Sequence, residues 1–206
     1  MRHFYLIELE FPLIKSTKNS FTVQVGGSSL TFIQSDMPAS YHFAFNIPGN
    51  QVGLAKKWLD SRVALNFEKE NDEIYYESFD ADAINFEDPS GNVVEFIGRR
   101  YRKAVGDFTI SSILNISEVS ITTPFVTETA KELERYDIHS RNDNPIEPGS
   151  LNFLGNEDTY IILVPPKRRW YFSNKISITR PLEIVLFNHR RITVDTGGKV
   201  TVSERL

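Results

Sequence analysis

Glu95 is the side chain of this 206-residue chain whose chemistry sits least easily with its neighbours. It stands between Val94 and Phe96 in an apolar run, 93–96, that reads as a buried strand. A carboxylate there is costly unless a metal ion, a substrate or an arginine meets it, and Arg99, Arg100 and Arg102 follow closely. His42 poses a similar question inside the aromatic-rich run 41–47. It shares a strand face with Ala44 and Asn46, because side chains alternate with period two. A histidine so placed is either a hydrogen-bonded core residue or a functional one.

The elements that must position these two residues are legible around them. Asp88, Pro89, Ser90, Gly91 and Asn92 are turn formers between the runs 82–87 and 93–96, so they predict a hairpin that delivers Glu95 onto its second strand. The strand carrying His42 ends at Pro48 and Gly49. Behind Asn50, a plausible N-cap, Val52, Leu54, Ala55, Trp58 and Leu59 recur at helical spacing. A Tyr- and Phe-rich segment at 74–79 precedes the hairpin. The order is strand, helix, strand, strand, strand in about sixty residues.

That order, with His42, Phe43, Ala44 and Phe45 at its start and Phe86, Asp88, Pro89, Gly91, Asn92 and Glu95 at its end, resembles the vicinal oxygen chelate superfamily. This group contains glyoxalase I, bleomycin- and fosfomycin-resistance proteins and type I extradiol dioxygenases. The resemblance implies an α+β fold of tandem βαβββ modules, with curved mixed sheets and helices outside. It also implies roles. His42 and Glu95 match the two metal-ligand positions of a module, for a divalent ion such as Fe, Mn, Ni or Zn, and Glu95 is also the candidate catalytic base. Phe43, Phe45, Tyr75, Tyr76 and Phe86, whichever face inward, are the candidate substrate-binding residues. The corresponding function is a divalent-metal-dependent enzyme acting on a small oxygenated or aromatic substrate. The alternative is a non-catalytic protein that binds or sequesters a small molecule on the same fold.

The resemblance extends in both directions. Phe4, Tyr5, Leu9, Glu10 and Phe11 are similar to the segment that closes the first helix of such a module, with Glu10 where the family has a glycine. It implies a first module, 1–38, that begins partway through and lacks its ligand strand, and a complete module at 40–100. A linker follows at 101–112, then a degenerate third module with a C-terminal hairpin at 113–206. In that third module Glu118 or Ser117 stands opposite His42, and Ile162 opposite Glu95. The module therefore reads as structural, its ligands lost. A third ligand would come from a partner subunit, the C-terminal hairpin (His189 or Glu183 brought near His42) or water. Uneven modules and unpaired strand edges predict a homodimer.

Composition narrows the remaining classes. A net charge of −4 without a long basic stripe argues against nucleic acid as partner. The absence of cysteine excludes disulfide and thiolate chemistry and agrees with a cytoplasmic setting. No run of eighteen apolar residues exists, so no membrane partner is expected. His3, His139 and His189 read as surface residues. Lys167, Arg168 and Arg169 beside Trp170, Tyr171 and Phe172 read as a solvated loop whose aromatics fold back on the core, with an anion grip as the other reading.

Overall fold

A computed structural model describes residues 1–204 except position 39. The chain divides into two compact units, Met1–Ser117 with Trp170–Lys175, and Glu118–Arg169 with the residues from Ile176 onward.

In the first unit a short helical segment, Phe4–Glu8, leads into the antiparallel strands β1 (Leu13–Ser16), β2 (Ser20–Val25) and β3 (Ser28–Ile33). Glu10 takes the left-handed conformation that the glycine resemblance called for, at φ +59°. A side chain there costs about 1–2 kcal/mol, and its carboxylate meets Arg62 at 3.1 Å. Phe21, Val23 and Val25, alternate residues of β2, enter the core with Phe4, Tyr5, Leu9 and Phe11.

The second set of strands carries the expected βαβββ order: β4 (His42–Pro48), α1 (Val52–Asp60), β5 (Glu73–Tyr76), β6 (Ala81–Glu87) and β7 (Val93–Arg99). The turn at 88–92 organises it. Asp88 Oδ1 accepts from the backbone N–H of Ser90 (2.9 Å) and Asn92 (3.1 Å), and Oδ2 accepts from Asn92 Nδ2 (2.8 Å). Asn92 Oδ1 in turn accepts the N–H of Tyr41 at 3.0 Å, and Val93 N–H donates to the Tyr41 carbonyl at 2.9 Å. One turn thus folds β6 onto β7 and also fixes the start of β4. β4 then runs parallel to β7 with His42 opposite Val93 and Ala44 opposite Glu95.

Period-two alternation sorts the side chains of these strands into two faces. Phe43, Phe45, Ile47, Ile84, Phe86, Val94 and Phe96 pack with Val52, Ala55 and Leu59 of α1 in the main core. Ala44, Ala81, Ala83 and Ile97 form a smaller cluster with Ile74, Tyr76 and Phe79 on the other face, the face of His42 and Glu95.

The second unit begins within β8 (Asn115–Thr122) and continues through α2 (Val126–Glu134), β9 (Asn152–Asn156) and β10 (Thr159–Val164). β8 pairs parallel with β10, and β10 antiparallel with β9, so the strand logic of the preceding module recurs. One strand of that pattern is reduced to a single bridge between Ser140 and Leu154. The sheet order is β5-β6-β7-β4-β8-β10-β9. β11 (Leu182–Val185), β12 (Arg191–Val194) and β13 (Val200–Ser203) form a separate antiparallel sheet, and its Ile192, Val194, Val200 and Val202 pack with Ile121, Leu133 and Leu163.

Tyr5 ties the first helical segment to the organising turn, its hydroxyl donating to Asp88 Oδ2 at 3.0 Å. Burial, with Asp88 beside it, holds the Tyr5 hydroxyl well above its ordinary pKa, so it stays a donor. Burial also raises the Asp88 carboxyl, while the hydrogen bonds from Asn92 and Tyr5 pull the other way. A carboxyl raised in the fold opposes folding when ionised, and this opposition disappears as the pH falls below about 4. The Tyr5 bond relieves part of it, so its contribution exists only while Asp88 is ionised. Tyr5→Phe should cost about 1.5–3 kcal/mol at neutral pH, shrinking as the pH falls through the Asp88 titration. Urea unfolding at both pH values measures this, and a loss independent of pH would contradict it.

Candidate metal and ligand site

His42 and Glu95 come together as their strand register requires. His42 lies two residues along β4 from the Ala44–Glu95 pair, on the same face, and His42 Nε2 is 3.4 Å from Glu95 Oε2. Both are buried, at 8% and 4% exposure. His42 Nδ1 is 3.2 Å from the Val93 carbonyl. A carbonyl only accepts, so Nδ1–H donates there, and Nε2 is the ring nitrogen that faces Glu95.

The third member was read from sequence as a lost ligand. Glu118 is buried on β8, one residue beyond Ser117, and His42, Glu95 and Glu118 each offer a ligand atom within 4.8 Å of the others. Three protein ligands of nitrogen and oxygen type are what a catalytic divalent-ion site provides. The His42–Glu95 distance agrees. Two atoms bound to one ion at about 2.1 Å with a tetrahedral angle between them stand about 3.4 Å apart, as His42 Nε2 and Glu95 Oε2 do. The donor set therefore fits a divalent ion.

Of the three arginines offered as partners for Glu95, Arg100 binds Asp82 through two nitrogens, at 2.8 and 3.0 Å, and lies over Tyr75. Arg99 is buried and donates to Asn46 Oδ1 and, at 3.1 Å, to Ser117 Oγ, the hydroxyl beside Glu118. Asn46 Nδ2 also donates to Asn115 Oδ1. Arg99 thus fastens the beginning of β8 against β4 and β7.

The five aromatics expected to bind substrate separate. Phe43, Phe45 and Phe86 point into the helix-side core, away from His42 and Glu95. Tyr75 is 44% exposed and donates to Asp80. Tyr76 is packed at the smaller cluster on the site face. The aromatic that does meet His42 is Trp170, with ring centroids 5.3 Å apart and planes inclined by 31°. Trp170 and Phe172 are each 2% exposed, so the aromatics of this loop do fold back on a core.

Trp170 heads a strap, 170–175, closed by its N–H on the Lys175 carbonyl at 2.9 Å. Trp170 Nε1 donates to the Ser40 carbonyl (3.3 Å), Phe172 N–H to Glu68 Oε2 (3.0 Å) and Ser173 Oγ to Glu87 Oε1 (2.7 Å). Lys175 Nζ stands 3.7 Å from Glu87 Oε2. Phe172 sits at φ +52°, a strained setting for a bulky residue that the surrounding bonds must hold. No pattern in the sequence joins Trp170 to a strand 128 positions earlier; only the fold does.

The remaining histidines lie apart from any such group. His3 and His139 face Glu8 (3.7 Å) and Glu134 (3.9 Å). His189 is exposed at the β11–β12 turn, and Glu183 pairs with Arg191 at 2.9 Å.

Comparison with known proteins agrees with this fold. A toxoflavin-degrading enzyme family model matches residues 116–168, the segment that carries Glu118. A candidate dioxygenase from Bacillus subtilis superposes with TM-score 0.57 at 18% identity, over 79% of this chain and 58% of that one. This chain thus spans little more than half the length of that protein. Glyoxalase I from Zea mays superposes with TM-score 0.50 at 13% identity, over 98% of this chain and 85% of that one. No curated protein sequence matches significantly. The chain has the fold of the vicinal oxygen chelate superfamily.

Trp170→Ala should lower stability by about 3–5 kcal/mol, since it empties a buried aromatic site. Trp170→Phe, which keeps a ring against His42, should lose less. Urea unfolding of both variants decides, and an alanine variant within about 1 kcal/mol of the parent would contradict the packing described.

Proposed function

We propose that this protein is a divalent-metal-dependent enzyme of glyoxalase or dioxygenase type, acting on a small oxygenated or aromatic molecule. The observation that carries the reading is the buried group of His42, Glu95 and Glu118, whose ligand atoms lie within 4.8 Å of one another. These three would hold the ion, Fe, Mn, Ni or Zn by donor type. When bound, such an ion supplies Lewis acidity to oxygen atoms of the substrate. The chain's own residues do the rest. The Val93 carbonyl fixes the tautomer and orientation of His42 through Nδ1–H. Trp170 covers the imidazole and keeps water from it. Glu95, near the reacting group, can also take a proton from substrate carbon or oxygen. The match to a family named for toxoflavin degradation favours breakdown of a small molecule as the reaction class.

A second reading keeps the fold and removes turnover: a binding or sequestration protein. It is favoured by His42 and Glu95 standing within ion-pair distance of each other, 3.4 Å, which lets the pair satisfy itself without an ion. We also propose a cytoplasmic setting, with which the lack of cysteine agrees. Among the described residues no helix is long and apolar enough to cross a membrane. We also propose a homodimer, in which the exposed edge strand β1, with Leu13 and Ile14 half-exposed, would be covered.

Incubation with Fe(II), Mn(II), Ni(II) or Zn(II), followed by desalting and elemental analysis, tests the site. The parent should retain about one ion per chain, and His42→Ala, Glu95→Ala and Glu118→Ala should each abolish retention. Absence of any retained ion would turn the case toward the second reading.

A further inference from the structure

Two carboxamides whose Nδ2 atoms are buried lie in register with Glu95 and are not used by the reading above. Asn85 of β6 stands directly opposite Glu95, so their side chains share the site face. On its other side Asn85 faces Asn66. The bridge between Leu65 and Phe86 sets that register, and Asn66 N–H donates to the Asn85 carbonyl at 2.7 Å. Asn66, Asn85 and Glu95 therefore form one row across β7, β6 and the bridged segment beside it. Asn85 is 2% exposed, and among the described residues neither Asn66 Nδ2 nor Asn85 Nδ2 meets a hydrogen-bond acceptor. Buried amide donors without acceptors are costly, and a fold that keeps two side by side next to a carboxylate has another use for them.

The strap points to the same row. It is fastened to Glu68 through Phe172 N–H and to Glu87 through Ser173 and Lys175. These residues are two positions beyond Asn66 and Asn85. The strap tip thus ends beside the amide row.

We propose that Asn66 and Asn85 are hydrogen-bond donors to the ligand of this site. The inference rests on the metal-site reading and gives it a specificity. Adjacent strands set the two donors roughly 4.8 Å apart. They therefore select a flat ligand with two acceptor atoms one strand spacing apart on one edge, such as the paired carbonyl oxygens of a cyclic imide. Asn66 and Asn85 hold that edge while the opposite end of the ligand reaches the ion.

The test compares two chelating probes on zinc-loaded protein by calorimetry. Violuric acid chelates through its oxime and one carbonyl and keeps an imide edge, whereas 4-nitrocatechol chelates without one. Asn85→Leu and Asn66→Ala should each retain zinc as the parent does and weaken violurate binding about tenfold or more, one lost hydrogen bond's worth. Nitrocatechol affinity should stay within about twofold. Asn85→Leu should also melt at a higher temperature than the parent without metal, because an unpaired amide is gone. Should Asn85→Leu not fold, Asn66→Ala decides by the same criteria. Unchanged violurate affinity, or equal weakening of both probes, would overturn the role of the amides while leaving the metal site standing. Should the parent hold no zinc, the comparison runs on whichever of Fe(II), Mn(II) or Ni(II) it retains, and a parent that holds none of the four would overturn the metal reading and this one together.

Discussion

The whole arrangement depends on burying Glu95 beside His42. An ionised carboxylate taken out of water is tolerated only when cations or donors meet it at close range, so every nearby element is constrained to keep such partners in place. Parallel pairing of β4 with β7 supplies the register, and the Asp88–Asn92 turn supplies the pairing, since Asn92 grips the first residue before β4. The side chains that fasten this turn, Asp88, Asn92 and Tyr5, bond to one another and to the Tyr41 N–H, yet they fix where His42 and Glu95 stand. A slip of one residue between β4 and β7 would move His42 to the opposite face and leave the carboxylate buried among alanines.

Much of this was legible because it is local. Turn chemistry at 88–92, period-two alternation in β4 and β7, and the helical spacing of Val52, Ala55 and Leu59 each act over a few residues, and all three elements form where expected. The internal repeat was also readable, including the alignment of Glu118 or Ser117 with His42. Glutamate in place of histidine reads as a lost ligand when each strand is considered alone, but Glu118 stands close enough to His42 and Glu95 for the three to hold an ion. The aromatic lining shows a second limit. Alternation alone puts Phe43 and Phe45 on the face opposite His42, and the structure bears this out by placing them in the helix-side core. Trp170 was out of reach for a different reason. A contact across 128 positions leaves no periodic signal.

The site face combines two kinds of polarity. Around His42 and Glu95 polar groups face one another across the strands, and Arg99 with Asn46 and Ser117 extends that network toward β8. Along Asn66 and Asn85 the Nδ2 donors meet no acceptor among the described residues, the observation behind the ligand role proposed for them. The strap joins the two regions. Trp170 lies on the histidine, and Ser173 and Lys175 reach the strand that carries Asn85. Strain at Phe172 means that the closed position is maintained by those bonds rather than by backbone preference.

Anomalous diffraction from a crystal of the protein loaded with manganese tests the central claim most directly. The account predicts one strong peak per chain, at bonding distance, about 2.0–2.2 Å, from His42 Nε2 and from a carboxylate oxygen of both Glu95 and Glu118. A peak lying elsewhere, or a site with His42 and Glu95 still paired to each other and no metal between them, would contradict it.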